Sequence, residues 1–517
     1  MHAVSAATRP AGATTVGARS DRLRRWWPLA ALTLLAAALR LSTLGLQSFW
    51  YDEAFTPVHV LHPSLWATLR SVAHTENSPP LWYLLAWVDS RVLGTGEVAL
   101  RLPSALAGIA TVPVAWAIGR ELSGRRAAVA CGALVAVSPL FVWYSQEARA
   151  YGLFVLTAAL ALLCFLRAER DPTPARMAAF AASGALALLT HYFAVFLLTA
   201  MALWLLGDRR LRRAAAPAVA FLTAVGLALL PLISAQGGHG TQWIGHWPLA
   251  ERLAAIPQYY LTGPSGEPLG HSIELLVALP LLLATGLGLW RILDRPLAPP
   301  RAELAASAEE SRARRWERGG LLVGAVAGAG LLTPIVLAVL GADYLAPRNL
   351  VGAMAVLTAL LVAVALSPDT GRAGAALLAL AALAFLMITL DVNLSPRLQR
   401  GNWRGVAQAL GAPHGARAIT TVELGAAPLE YYMPGLHNLA RGASVALSEI
   451  DETGYSPLRA SAGEPPAPGF HLLARLNIDG LIVYRFRSAL PRAVSESALR
   501  RHVITLAHPE VLVALAP

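Results

Sequence analysis

The chain has 517 residues, of which 56% are hydrophobic and only 14% charged, with a formal net charge of +11. Ordinary soluble proteins carry roughly 25% charged residues, so this composition excludes a water-soluble fold and implies an integral membrane protein. The basic excess is entirely arginine, and most of it sits in short tracts between apolar runs. That placement is a membrane-topology signature and gives no reason to invoke nucleic acid.

A spanning helix needs about 20 largely apolar residues. After a polar tail over 1–26, the predicted spans in chain order are 27–46, 101–119, 127–143, 151–167, 177–191, 192–206, 215–234, 272–290, 320–341, 349–366 and 373–390. The polar start and the length of the first apolar run argue against a cleaved signal peptide. Alternating the spans places every arginine-rich tract on one side: the N-terminus, Arg120 to Arg126, Arg167 to Arg176, Arg209 to Arg213 and Arg291 to Arg318. The positive-inside rule makes that side cytoplasmic. The opposite side receives QSFWYDEAF, SQEARAY, the loop 235–271, ADYLAPRN and everything after 391.

PPLWYLLAWVDSRVLG (79–94) tests the scheme. Counted as a span, it would move the later arginine tracts outside. It is short and carries Asp89 and Arg91, so it reads as an interfacial or re-entrant helix started by Pro79 and Pro80. The stretch 294–318 is a charged, Pro/Ala-rich linker. From 391 onward NWRGVAQAL and APLEYYM look helical. ARAITTV and DGLIVYRF look strand-like, and HVITLAHPEVLVALAP suggests two short final strands. The expected fold is therefore mainly α: about eleven transmembrane helices with juxtamembrane helices in the first outer loop. The domains are a cytoplasmic tail (1–26), a transmembrane domain (27–390) and a small extracytoplasmic α/β domain (391–517).

The chemistry gathers on the outer side. Asp52 and Glu53 are adjacent, so their side chains diverge by about 100° on a helix or about 180° on a strand. One can face a cleft while the other caps or pairs with an arginine; the plainer alternative is an acidic first turn at a helix dipole. Pro57 should kink that helix. Glu147 and Arg149 in SQEARAY, and Arg348 in YLAPRN, stand on the same side. A guanidinium fits phosphate oxygens; the plainer readings are a solvated ion pair for Arg149 and snorkelling for Arg348. Arg40, inside the first span, should snorkel outward or pair with a carboxylate. His74, Glu76 and Asn77, with His191, His239 or His246, leave a divalent metal ion open, but no pair has ligand spacing, so no metal ligands are assigned. Cys131 and Cys164 lie in apolar runs and add no metal or disulfide pattern. The 235–271 loop could be a lid or an interfacial aromatic anchor.

The order of these motifs is more specific than any one of them. LxLxxxWYDEA (Leu44 to Ala54) is followed by SPPLWY (Ser78 to Tyr83), GxxxxRLPSA (Gly96 to Ala105), GRxLxG (Gly119 to Gly124) and SPxxxxYSQEARAY (Ser138 to Tyr151). YLAPRN and NWRGVA come later. The set resembles the GT-C glycosyltransferases that use polyprenyl-phosphate sugars, in the group that is protein-mannosyltransferase-like and aminoarabinose-transferase-like. It is strongest over about residues 35–155. The resemblance implies a membrane glycosyltransferase with Asp52 as general base, Glu53 and Glu147 as further catalytic acids, and Arg149 and Arg348 on the donor phosphate. Tyr51, Glu76, Asn77, Tyr151, His191 and His246 are the expected substrate-binding residues. Ser78 stands where the aminoarabinose branch has a lysine, which argues against that sugar.

The implied donor is a polyprenyl-phosphate sugar, mannose- or pentose-like, and the acceptor a hydroxyl on protein, glycolipid or cell-wall glycan. Transfer would take place at the outer face of the cytoplasmic membrane, with inversion. The alternatives are a polytopic lipid or sugar transporter (a flippase), which calls for ionisable residues near the centres of several spans, and a relative that binds the lipid-linked sugar without turnover.

Overall fold

The computed structural model describes residues 13–239, 241–265, 271–294, 308–367, 370–505 and 508–514. Part of the expected tail and linker (1–12 and 295–307) lies outside these residues. Every predicted span is occupied by apolar helix. Glu97–Ser123, Tyr151–Arg170, Arg212–Gln236, Leu276–Leu293, Trp316–Val339, Pro347–Ala365 and Gly371–Leu394 are long enough to cross, and Arg125–Val137 with Pro139–Ser145 forms a span bent by 56°. Trp26–Leu41, Pro174–Thr190 and Ala194–Gly207 are shorter.

At one end of the bundle the arginine-rich tracts meet. Arg167 and Arg170 pair with Glu121, while Arg318 reaches both Glu169 and Asp208. A cavity of about 490 Å³ opens among them, lined by Glu121, Glu169, Arg170, Arg210 and Arg318. It lies at the far end from the acidic motifs. Its arginines are already paired with acids, so it is best explained as a gap within an ion-pair network joining several helices.

Arg40 corrects an expectation. It neither snorkels nor meets a carboxylate. It is fully buried and donates to the carbonyls of Ala136 (2.8 Å) and Val135 (3.1 Å) and to Ser145 Oγ (3.1 Å). The reason is the bend. Pro139 has no N–H to bond the Val135 carbonyl one turn earlier, so a charged donor takes its place. Gly108 leaves the room: a Cβ there would stand 2.0 Å from Ser145 Oγ and 2.8 Å from Arg40 Nε. Arg40→Met should strand these carbonyls and cost on the order of 3 kcal/mol, visible as a lower thermal midpoint in detergent. An unchanged midpoint would contradict this account of the bend.

The PPL segment forms Leu81–Val92, 12 residues long. At 1.5 Å per residue it reaches about 18 Å, well short of a hydrocarbon core. A second juxtamembrane helix, Leu65–Thr75, precedes it. After Tyr51–Phe55 the chain widens into a π-helical turn over Thr56–Val60, closed by Leu61 N–H on the Thr56 carbonyl at 3.0 Å. Pro57 cannot donate within that turn, and the wider turn replaces a simple kink.

The C-terminal part is a six-stranded mixed sheet in the order β2-β6-β1-β3-β5-β4. Its strands are β1 (Arg417–Val422), β2 (His437–Asn438), β3 (Ser444–Tyr455), β4 (His471–Ile478), β5 (Leu481–Ser495) and β6 (Pro509–Ala514). Among the described strands only β1 and β3 run parallel. Trp403–Leu410 and Ala426–Tyr432 are the expected helices. Among the described residues the end of the chain supplies one strand, not two: 502–505 is irregular, and His502 Nδ1 is engaged with Glu452 at 2.9 Å.

Candidate active site

At the opposite end from the arginine tracts, four acids meet four arginines drawn from distant parts of the chain. Glu53 is completely buried. Arg101 grips it with a fork, Nε to Oε1 at 2.7 Å and Nη2 to Oε2 at 2.6 Å, and Ala148 N–H adds a bond of 2.8 Å. Burial opposes the charge, yet the Arg101 fork and the amide hold the carboxyl below its usual range. Arg101 also donates to the carbonyls of Leu44, Gln47 and Ser48. This pair anchors the loop that carries Asp52.

Asp52 points elsewhere. Its Oδ2 accepts from Arg348 Nη1 at 2.6 Å, and both side chains keep some exposure, 15% and 24%. Arg348 lies under the Trp243 ring, 4.7 Å from its centroid, with Tyr151 at 6.0 Å. Thus the 235–271 loop brings an aromatic to the site through Trp243, which stacks on Trp247. His246, at the end of the short helix Gln242–His246, is exposed.

Arg149 is committed to Glu76. Its two Nη atoms reach the two carboxylate oxygens at 3.2 and 2.9 Å, and Nη1 also reaches the Asp52 carbonyl at 3.4 Å. Glu76 further accepts from the Tyr83 hydroxyl at 2.6 Å. Asn77 donates to the His239 carbonyl at 3.4 Å and ties the loop between Leu65–Thr75 and Leu81–Val92 to the Trp243 loop. Tyr51 packs at a tilt of 54° against Trp50 beside Asp52, with ring centroids 4.4 Å apart. His191 is buried under Tyr151, stacked on Phe154 at 4.6 Å, and its Nδ1 accepts from Phe193 N–H. Among the described residues, no three His, Cys, Asp or Glu side chains gather as a metal site.

Glu147 contrasts with Glu53. It is equally buried, yet only Oε2 is bonded, to Arg400 Nη2 at 3.0 Å; Oε1 has no partner. Burial pushes its carboxyl up to about 7. Arg400 and Arg348 oppose that rise, and the charges of Glu53 and Asp52 reinforce it.

The C-terminal domain closes over the same loops. Ser48 Oγ donates to the Gly401 carbonyl and accepts from Trp403 N–H, both at 3.0 Å. The Tyr432 hydroxyl accepts from Phe49 N–H at 2.7 Å and donates to Glu97. Arg101 and Arg400 were not singled out in the sequence. Each stood inside or beside a quoted motif, RLPSA and NWRG, and the arginine itself was the signal available.

A polytopic bundle with an acid–arginine cluster at one face, closed by a small mixed-sheet domain, defines the class. Residues 77–235 match the model of the family described as dolichyl-phosphate-mannose-protein mannosyltransferase. ArnT from Cupriavidus metallidurans in the apo state shares the fold, with a TM-score of 0.51 at 14% identity, over 88% of this chain and 97% of that one. The same protein bound to undecaprenyl phosphate gives 0.54 at 13% identity, over 88% and 97%. A comparison with curated proteins gave no match. The resemblance carried by the ordered motifs therefore holds: the chain has the GT-C glycosyltransferase fold and carries the mannosyltransferase-family pattern over residues 77–235.

Proposed function

We propose that the protein is a membrane glycosyltransferase that moves a mannose- or pentose-like sugar from a polyprenyl-phosphate donor to an acceptor hydroxyl. The acceptor belongs to a protein, glycolipid or cell-wall glycan, and the work is done at the outer face of the cytoplasmic membrane. The observation that carries this reading is the Asp52–Arg348 pair, 2.6 Å apart and partly open beneath Trp243. It places a proton acceptor beside a cation at the rim of an otherwise buried cluster.

The acceptor oxygen attacks the anomeric carbon, and the bond from that carbon to the phosphate oxygen breaks, its electron pair staying with the phosphate. Asp52 takes the hydroxyl proton as the new bond forms, within the usual reach of about 2.6–3.2 Å for a general base. Arg348 meets the charge that gathers on the leaving phosphate. Attack opposite the leaving group inverts the anomeric centre. Arg149 can join the phosphate only by releasing Glu76, so its first role is to brace the loop. Glu53 acts through Arg101 as a structural acid. Arg40, the in-span charge a transporter would use, is spent on the carbonyls at the bend.

Glu147 offers its unpartnered Oε1 to a second substrate hydroxyl, beside the one whose proton goes to Asp52. A proton competes for that oxygen. The raised carboxyl is protonated below about pH 7, so transfer should fall as pH drops through that value. Glu147→Gln should be slower and lack this limb; a limb retained in the Gln variant would remove Glu147 from the reaction. The reading as a whole is tested by glycan mass spectrometry on cells lacking the protein. Loss of one hexose or pentose from an envelope glycan or protein is expected, and an unchanged glycan profile would oppose it.

A further inference from the structure

Glu147 is held by a residue from outside the bundle. Arg400 follows the last spanning helix, Gly371–Leu394, at the start of the C-terminal domain. It is 7% exposed, and its guanidinium lies 4.1 Å over the Trp143 ring. Nη2 donates to Glu147 Oε2 (3.0 Å) and the Trp143 carbonyl (3.2 Å). Nη1 donates to Gln47 Oε1 (3.0 Å) and the Gln146 carbonyl (3.4 Å). One side chain therefore joins the loop that precedes Asp52 to the loop that carries Glu147.

The contrast with Arg101 is informative. Arg101 satisfies both oxygens of Glu53, as a structural pair should. Arg400 satisfies one oxygen of Glu147 and leaves Oε1, together with its own Nε, buried and unbonded. Leaving such atoms unpaired costs stability, so the arrangement suits an oxygen kept open for a ligand.

From these contacts we propose that Arg400 is a positioning residue for sugar transfer. It fixes Glu147 with one oxygen bonded and the other left for a second substrate hydroxyl, beside the attacking one, which makes the C-terminal domain part of the active site. The proposal rests on the role given to Glu147 above. The titratable and charged groups facing Glu147 are Arg400 from the domain linker, Asp52 and Glu53 from the first outer loop, Arg348 from the turn before Val351–Ala365, and the hydroxyls of Tyr144 and Tyr151 from the helices on either side. Without Arg400, burial and the two acids act against a single remaining cation, and Glu147 keeps its proton to higher pH.

The test uses the full-length protein in detergent. The infrared carboxyl band that disappears in Glu147→Gln reports the titration of Glu147 with no donor present. Arg400→Gln should raise its midpoint by about one pH unit or more, and Arg400→Lys, which keeps the charge, should stay within about half a unit of wild type. A midpoint unmoved in Arg400→Gln overturns the proposal, as does a Lys variant that titrates like the Gln variant. Release of undecaprenyl phosphate from undecaprenyl-phosphate mannose or arabinose gives a second readout. Adding Arg400→Gln to Glu147→Gln should cost no more than about threefold beyond the single variant. Losses that multiply independently would mean that Arg400 serves only the fold. A wild type with no turnover sinks the functional reading instead, and the infrared midpoint still decides whether Arg400 controls Glu147.

Discussion

Asp52→Asn is expected to lower the rate of sugar transfer by about 10²–10⁴-fold, the usual contribution of a positioned general base. The substitution keeps size and shape, so the loss should come from the missing proton acceptor. A second consequence separates chemistry from binding. The Asp52 carboxylate engages Arg348 at 2.6 Å, and a donor phosphate would compete for the same guanidinium. A neutral amide competes less. Asp52→Asn should therefore bind undecaprenyl phosphate at least as tightly as wild type while failing to turn over. Weaker binding in this variant, in a titration on detergent-solubilised protein, would show that Asp52 organises the phosphate site instead of serving as base.

Arg348→Gln is expected to cost about 10²–10³-fold in turnover, comparable to removing a donor aimed at developing charge. Binding of the lipid phosphate should weaken as well, because Arg348 is the cation nearest to open space in the cluster. Arg348→Lys should fall between the two: it restores the charge and loses the fork that meets two oxygens at once. Kinetics with a polyprenyl-phosphate sugar would check the order wild type, Lys, Gln. A Lys variant no better than Gln would mean that the site needs the planar geometry of Arg348 over and above its charge.

The spans were readable because hydrocarbon burial leaves a coarse signal: long apolar runs interrupted by arginines on one side. The PPL helix was readable for the same reason, since Asp89 and Arg91 limit its apolar length. Arg40 was misread because a lone charge in a span has two usual fates, and the third needed the position of a bend set by Pro139. In the C-terminal domain β3 escaped notice. SVALSEIDETGY carries Glu449, Asp451 and Glu452, and acids rarely enter a sheet core. Here they are buried against Arg417, Arg485, Arg487 and His502, and no local pattern announces partners so far along the chain. The candidate site divides in the same way. WYDEA and SQEARAY marked the acids. The pairing that separates them (Glu53 with Arg101, Glu147 with Arg400, Asp52 with Arg348) is tertiary and appears only once the loops meet.

The proposed reaction is sugar transfer from a polyprenyl phosphate by this acid–arginine cluster, with Asp52 as base. Its most direct test is the purified protein in proteoliposomes, supplied with undecaprenyl-phosphate mannose or arabinose and a cell-envelope acceptor fraction, with sugar incorporation and lipid phosphate release followed together. Wild type should couple the two in equal amounts, and Asp52→Asn should show neither while still binding the lipid phosphate. Incorporation that proceeds at the wild-type rate in Asp52→Asn would contradict the account.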